Sequence, residues 1–240
     1  MFIFFHLIVA LAIGYLLADR FQSRAFVLPC ILGGLLPDLV DKPIGLILLA
    51  DSIGSGRVFL HTALFLLVML VVGGILFVRW RSPVILAVGV GVASHQFLDL
   101  VWQTPATWLY PLLGSFPATD REGWFLREFL LELQNPGEWV SGMLLFLLIL
   151  TALSPRLHRF VFIRFKPLFR PLTFGAGLIL GLLGLLILSA GAMARLNHVA
   201  GGKAYEYSIV VGVTFTFLAY AAFHAYTRLS AGDERSSSNR

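Results

Sequence analysis

The chain has 240 residues, of which 58% are hydrophobic and only 13% are charged, whereas a soluble domain carries about 25% charged residues. Long apolar stretches recur from one end to the other, so the composition excludes an ordinary soluble domain and predicts a multi-pass membrane protein. The net charge of +5 does not indicate nucleic-acid binding, because the basic residues lie in short loops between apolar stretches. The single cysteine, Cys30, excludes a disulfide framework and a thiolate metal site.

Seven apolar segments follow one another along the chain, so we expect an all-α, polytopic membrane protein with about seven transmembrane helices. A helix needs roughly 20 apolar residues to cross the bilayer core. The second segment is interrupted at 33-GGLLPD-38, and a short apolar piece at 43–50 follows it. The segments are, in chain order, about 1–18, 25–40, 58–78, 83–101, 139–153, 172–194 and 207–226.

The charges of the loops predict the orientation of these segments. The loop 154–171 contains five Lys or Arg residues and no acidic residue, and the turns at 19–24 and 79–81 are also basic. Residues 102–138 contain five acidic residues and two arginines, for a net charge of −3. Because basic loops face the cytoplasm, we expect an inner- or plasma-membrane protein with its N-terminus and its acidic loop on the extracytoplasmic side.

The chain divides by chemistry into four parts. Residues 1–117 contain most of the polar groups found inside apolar segments, and residues 118–138 form the acidic extracytoplasmic loop. Residues 139–227 are scaffold helices, in which 177-GLILG-181 has a small-residue spacing that favours close helix packing. Residues 228–240 are a polar tail that we expect to be disordered and cytoplasmic.

Ionisable residues of the first four segments all fall on the predicted outer side of the membrane. His95 and Asp99 are four residues apart, as are Arg57 and His61, so that each pair shares one helix face. Such groups are costly at membrane depth and usually line a protein interior or a wet cavity. Imidazole and carboxylate together favour zinc, with manganese and iron as alternatives. The candidate metal ligands are His6, Asp38, His61, His95 and Asp99, and the candidate catalytic residues are Asp41 and Arg57.

Each of these residues, taken alone, also has a structural explanation. His95 and Asp99 fit a hydrogen-bonded pair inside the bundle, and His6 fits an interfacial or packing histidine. Asp38 fits a loop or helix-cap residue, and Arg57 fits an anchor at the lipid headgroups. The same groups also suit a proton relay.

The order and spacing of these motifs resemble those of the YdjM-like family of inner-membrane-associated, predicted metal-dependent hydrolases. In that family a first-helix histidine precedes an L-P-D-x-D motif, an H-R-x-x-x-H-S motif, an S-H-x-x-x-D motif and a T-P turn. The counterparts here, which cover about residues 1–117, are His6, 35-LLPDLVD-41, 56-GRVFLHT-62, 94-SHQFLD-99 and 104-TP-105.

The sequence departs from the family pattern at four positions. The first histidine of the H-R-x-x-x-H element is Gly56 here, and the serine that ends it is Thr62. The second acid of the L-P-D element is displaced by one position, to Asp41, and the histidine that often follows is Lys42. One or two of the family's metal ligands therefore lack a counterpart in this chain.

The resemblance implies a membrane-embedded, metal-dependent hydrolase, and the position of the site favours an amphiphilic substrate, for which we expect a lipid phosphoester. The expected ion is zinc, with manganese as the alternative. Its expected ligands are His61, His95 and Asp99, with His6 and Asp38 completing one or two sites. In this hypothesis Asp41 is the general base for an attacking water, and Arg57 holds a phosphate or a developing oxyanion. The expected partners are membrane lipids and the lipid-like substrate.

Two other classes of function remain open at this point. The first is a transporter or proton-coupled carrier that uses the same acids and histidines. The second is a non-catalytic membrane scaffold with a decayed metal site, for which Gly56 and Lys42 are the best support. A hydrolase similar to the alkaline ceramidases is disfavoured, because its last helix should contain paired histidines and His224 stands alone there. No H-E-x-x-H motif of a metalloprotease occurs.

Overall fold

The computed structural model describes residues 3–117, 130–131, 133–153, 155–196 and 202–238, and every regular element in these ranges is helical. The predicted all-α class is therefore confirmed. The chain divides into two compact units, Met1–Leu145 and Phe146–Arg240. Most of the predicted acidic loop, namely residues 118–129 and 132, lies outside the described residues.

The helices of the first unit are α1 (Ile3–Phe21), α2 (Val27–Pro43), α3 (Ala63–Trp80), α4 (Val84–Leu98), the single turn α5 (Pro105–Trp108) and α6 (Pro136–Leu153), which ends in the second unit. The second unit also contains α7 (Pro155–Leu196) and α8 (Gly202–Ser238). Short 3-10 helices lie at Arg24–Phe26, Phe59–His61 and Val101–Gln103, and a π-helical turn, Ile44–Leu48, follows α2.

Each of the seven predicted segments overlaps a helix, but not every helix is long enough to span a bilayer. Four stretches are long and apolar enough to do so: Ile3–Phe21, Ala63–Trp80, Pro167–Met193 and Tyr205–Ser230. The apolar helix α4 is shorter than these. The structure therefore supports a membrane protein with four candidate spans within the described ranges, and the expected number of about seven is not confirmed.

Two differences from the predicted segments concern the second unit. The range 154–171 was expected to be a basic loop, yet α7 begins at Pro155 and continues through Pro167 and Pro171. The charges of a segment report where a membrane boundary falls, but arginine and leucine also favour helices, so a basic boundary segment need not be a loop. At the other end, α8 continues to Ser238, into the tail for which the composition predicts disorder.

Helices α2 and α4 touch backbone to backbone, and this contact positions the polar end of the first unit. A Cβ atom at Gly33 would lie 2.2 Å from the Val88 carbonyl oxygen, and one at Gly91 would lie 2.1 Å from the Cys30 carbonyl oxygen. Only glycine permits this separation. The buried core beside the contact consists of Ala10, Phe26, Cys30 and Ala87. The polar residues of α2 and α4 follow this contact by about one to two turns, so they emerge side by side.

In the second unit, glycines likewise mark the contact between α7 and α8. A Cβ atom at Gly177 would lie 3.0 Å from the Phe223 ring, and one at Gly184 would lie 2.9 Å from the Gly212 carbonyl oxygen. Gly181, the second small residue of the predicted packing motif, faces Ala219 at an ordinary contact distance of 3.6 Å. The small residues at 177–181 therefore face the partner helix, as their spacing predicts.

Candidate metal centre

The polar residues singled out in the sequence lie at one end of the first unit, where the ends of four consecutive helices meet. His6 lies near the start of α1, and Asp38 and Asp41 lie in the last turns of α2. His61 ends the 3-10 turn that precedes α3, and His95 and Asp99 lie at the end of α4. Successive helices alternate in direction, so starts and ends of different helices share one side of the bundle.

His61 and His95 face each other, with their Nε2 atoms 3.3 Å apart and their side chains buried. The Nδ1 atom of His95 lies 2.9 Å from the Gly34 carbonyl oxygen, which can only accept, so this nitrogen carries the proton. Nδ1 of His61 lies 2.6 Å from Asp41 Oδ2 and donates to that carboxylate in the same way. Neutral imidazoles held like this direct two unprotonated nitrogens at each other, which is stable only with a cation or a proton close to both.

Two carboxylates complete the group of potential ligands. Asp38 Oδ1 lies 3.9 Å from Nε2 of His61 and also 3.9 Å from Nε2 of His95. Asp99 Oδ2 lies 3.9 Å from Nε2 of His95. One ligand atom from each of these four residues lies within 4.8 Å of the others. Asp38 Oδ1 is buried and has no hydrogen-bond partner within the described part of the chain, so this carboxylate oxygen needs a cation beside it.

This donor set fits a divalent metal ion. When two imidazoles bind a tetrahedral zinc ion, their ligating nitrogens lie about 3.3 Å apart, which is the distance found between the two Nε2 atoms here. Nitrogen and oxygen donors without sulfur suit zinc, manganese and iron, and the only thiol, Cys30, is buried in the helix core. The group of Asp38, His61, His95 and Asp99 could therefore hold a metal ion, whose identity the donor set leaves open.

Asp41 lies behind His61 and orients both its ring and its backbone. The carboxylate is fully buried and accepts hydrogen bonds from the backbone N–H groups of Val58, Leu60 and His61, at 3.0 to 3.1 Å. It also accepts from Nδ1 of the same histidine. Carboxylates that bind the distal nitrogen of a ligating histidine fix its tautomer and raise its basicity. Asp41 is therefore placed as a support for His61.

His6 and Arg57 both contact Asp99, on different oxygens. Nε2 of His6 lies 3.3 Å from Oδ1, and Nη2 of Arg57 donates to Oδ2 at 2.8 Å. The His6 ring is buried against His95, with ring centroids 4.6 Å apart, but His6 lies outside the four-residue metal group. The Arg57 side chain is 41% exposed, so it is only partly covered by its neighbours.

Gln96 is a buried residue that the sequence did not single out. Its Nε2 donates to the carbonyl oxygens of Leu60 and Thr62, at 3.0 and 3.2 Å, and its Oε1 accepts from Trp108 Nε1 at 3.2 Å. These bonds tie α4 to the turn that carries His61 and to α5. Gln96 lies in the S-H-x-x-x-D motif, directly after His95. A polar residue at that position of an apolar helix was the available signal.

Lys42 is a second residue whose contact within the cluster the sequence did not predict. Its Nζ lies 2.7 Å from Asp38 Oδ1, four residues earlier in α2. The two groups form an ion pair by distance, but the pair lacks the alignment of a hydrogen bond, so neither atom has a hydrogen-bond partner in the ranges described. The ammonium is largely buried, with 16% of the side chain exposed. It therefore belongs to the cluster.

Glu138 binds the beginning of α1. Its Oε2 and Oε1 accept from the backbone N–H groups of Phe4 and Phe5, at 2.9 and 3.2 Å, and the side chain is buried. The first N–H groups of a helix lack partners within the helix, so an acid at this position stabilises it. Glu138 counts among the acidic residues of the predicted outer loop, but it fastens α6 to the turn that carries His6.

The family model described as YdjM inner membrane protein matches residues 1–161, which contain the entire cluster. No curated protein and no solved structure matches the chain.

Proposed function

Because this chain belongs to the YdjM inner membrane protein family, we propose that it is a membrane-embedded, metal-dependent hydrolase that acts on an amphiphilic substrate, a lipid phosphoester. Membership of this family and the four long apolar helices support a location in the membrane. The proposal adds the reaction, the substrate class and a position of the site at the extracytoplasmic headgroups, within a seven-segment topology whose N-terminus lies outside.

The observation that carries the proposal is the pair of facing imidazoles with two carboxylates beside them. Nε2 of His61 and Nε2 of His95 lie 3.3 Å apart, and each Nδ1 is engaged by an acceptor. A merely structural histidine pair would gain by turning one protonated nitrogen toward the other ring. Here both protons are turned away, so the unprotonated nitrogens converge on one point, as ligands of one ion do.

Zinc is the proposed ion, with manganese as the alternative, and Asp38, His61, His95 and Asp99 would hold it. When bound, such an ion polarises a phosphoryl or acyl oxygen and lowers the pKa of water so that it attacks near neutral pH. The contacts of Asp41 support a positioning role rather than the general-base role suggested by the sequence, because its oxygens already accept four N–H groups.

Arg57 supports the assignment to a phosphoester. One nitrogen of its guanidinium binds Asp99, which holds the group at the edge of the cluster, and 41% of the side chain is exposed. The planar fork of an arginine matches two oxygens of a phosphate. An amphiphile would place its tail among the exposed apolar side chains of the helices and its headgroup between Arg57 and the metal group.

Metal content tests the proposal first. We expect about one equivalent of zinc or manganese per chain, measured by mass spectrometry on detergent-purified protein, and its loss in His95→Ala and Asp38→Ala. His224→Ala, on α8, is the matched control and should keep the ion. The metal-loaded protein should then hydrolyse phospholipid or polyprenyl phosphoesters, whereas the two depleted variants should not. A wild-type protein that stays empty after zinc and manganese are offered would contradict the proposal.

A proton-coupled carrier is the second candidate, and one specific observation favours it. Titratable groups form a continuous series from His6 through Asp99, His95 and His61 to Asp41, with successive contacts of 3.3, 3.9, 3.3 and 2.6 Å. Such a series suits proton transfer. A carrier predicts solute flux in proteoliposomes that follows the pH gradient and persists in the presence of chelator. A scaffold with a decayed site predicts neither flux nor metal.

A further inference from the structure

One side of the metal group is occupied by a cation that belongs to the chain. Nζ of Lys42 lies 2.7 Å from Asp38 Oδ1, and this same oxygen lies 3.9 Å from Nε2 of both His61 and His95. Asp38 therefore stands between the ammonium and the point on which the imidazoles converge. The ammonium reaches this place from the same helix, four residues further along α2.

Gly56 adjoins the stem of this lysine. A Cβ atom at Gly56 would lie 3.6 Å from Lys42 Cγ and 3.1 Å from Leu46 Cδ1, the second of which is tighter than an ordinary contact. A side chain at position 56 would press on Leu46, whereas its Cβ atom would meet the Lys42 stem at an ordinary contact distance. The chain thus has no ligand at position 56 and has a long cationic side chain at position 42, and these two positions adjoin each other.

The charges of the cluster agree with this arrangement. Three carboxylates, Asp38, Asp41 and Asp99, meet two cations, Lys42 and Arg57, which leaves one negative charge when the histidines are neutral. One divalent ion would bring the cluster to +1, and a second would bring it to +3. Uncompensated charge is costly in an apolar helix bundle. The charge balance therefore favours one divalent ion over two.

Building on the proposed metal site, we propose that Lys42 is a fixed cation of this centre, which takes the place of a second metal ion at Asp38. The cluster then binds a single divalent ion, between the two imidazoles. Lys42 acts through Asp38 and is therefore a positioning residue. Its positive charge limits the number of ions and lowers the affinity for the one that binds.

The test is a metal titration of the full-length protein in detergent, followed by calorimetry and by mass spectrometry of the washed protein. Wild type should bind one equivalent of manganese or zinc. Lys42→Met, which keeps the stem and removes the charge, should bind its ion at least about tenfold more tightly, because a like charge within a few ångströms has been removed. Lys42→Arg keeps the charge and should bind as wild type does. Arg79→Met, about 24 Å along α3 from the site, removes a distant charge and should change nothing.

The possible results separate this inference from the proposed function. Two equivalents in wild type would overturn the role of Lys42 and leave the metal site standing. Equal affinities in wild type and Lys42→Met, or a tightening in Lys42→Arg as large as that in Lys42→Met, would also overturn it. The absence of bound metal in wild type and all variants would overturn both proposals. Should Lys42→Met fail to fold, Lys42→Gln removes the same charge and takes its place in the titration, with the same expected tightening.

Discussion

Asp41 is not one of the four potential metal ligands, but it fixes the position of one of them, His61. Its oxygens accept three backbone N–H groups and Nδ1 of His61, at 2.6 to 3.1 Å. We expect Asp41→Asn to weaken metal binding by about 10- to 100-fold, because an amide cannot match the charge or accept at both positions. Competition with a chromogenic chelator measures this affinity. Asp51→Asn, in the exposed turn after the π-helical segment, should bind as wild type does; equal affinity in both variants would contradict the role of Asp41.

Gln96 should matter chiefly for stability. Gln96→Leu removes two bonds to backbone carbonyl oxygens and the acceptor for Trp108 Nε1. Leaving buried polar groups unpaired costs about 1–3 kcal/mol each, so we expect a loss of about 2–4 kcal/mol in the free energy of unfolding. Thermal or denaturant unfolding in detergent measures it. Ser52→Ala removes one exposed bond, at 3.3 Å to the Leu49 carbonyl oxygen, and should cost less than about 0.5 kcal/mol.

At this scale the sequence predicted the residue types of the site but not their contacts. The pair of His95 and Asp99 was recognisable because the two are four residues apart at the end of α4. The expectation that Arg57 and His61 share a helix face was wrong, because Arg57 lies before the 3-10 turn Phe59–His61 and is not helical. The contacts of Gln96 and Asp41 join positions 12 to 36 residues apart along the chain. No local spacing predicts such contacts, because they depend on how α2, α4 and the intervening turn pack.

Among the elements, the contact between α2 and α4 gives the sharpest prediction. A Cβ atom at Gly91 would lie 2.1 Å from the Cys30 carbonyl oxygen, so Gly91→Ala must push the two helices apart. We expect a loss of about 3 kcal/mol in the free energy of unfolding and weaker metal binding, because His95 would leave the Gly34 carbonyl oxygen. Unfolding in detergent and chelator competition measure the two effects.

Gly74 is the matched control for this substitution. It also lies in an apolar helix of the first unit, but a Cβ atom there would meet nothing within 4 Å. Gly74→Ala should therefore be neutral or should stabilise α3 by up to about 1 kcal/mol through helix propensity. Equal destabilisation by both substitutions would show that glycine at position 91 has no packing role.

The helices themselves were largely predictable, since apolar length and the turns between segments are local properties. The number of candidate spans was not, because α2 and α4 have only 17 and 15 residues and end in polar residues of the site. The charges of the range 154–171 predicted a loop, but such charges indicate only where a membrane boundary falls. The structure continues α7 through it, including Pro167 and Pro171.

For the whole molecule, the side of the membrane on which the cluster lies is the main prediction. The turns that contain Ala25 and Ser52 lie at opposite ends of α2, which is about 26 Å long. We expect Ser52→Cys to react with an impermeant maleimide in intact cells, and Ala25→Cys to react only after permeabilisation. The unchanged protein is the control, because Cys30 is fully buried. The reverse pattern would place the cluster on the cytoplasmic side.

The two imidazole nitrogens directed at each other across 3.3 Å also bear on the life of the protein in the cell. With the proposed metal site, a chain that has inserted without the ion carries a repulsion between His61, in the turn that precedes α3, and His95, at the end of α4. Binding at a hundredfold excess over Kd stabilises the folded state by about 2.7 kcal/mol, enough to change the fraction that proteases remove. Proteases that act on membrane proteins would then degrade chains without a bound ion first. The steady-state amount of the protein would follow the supply of metal, with no change in transcription.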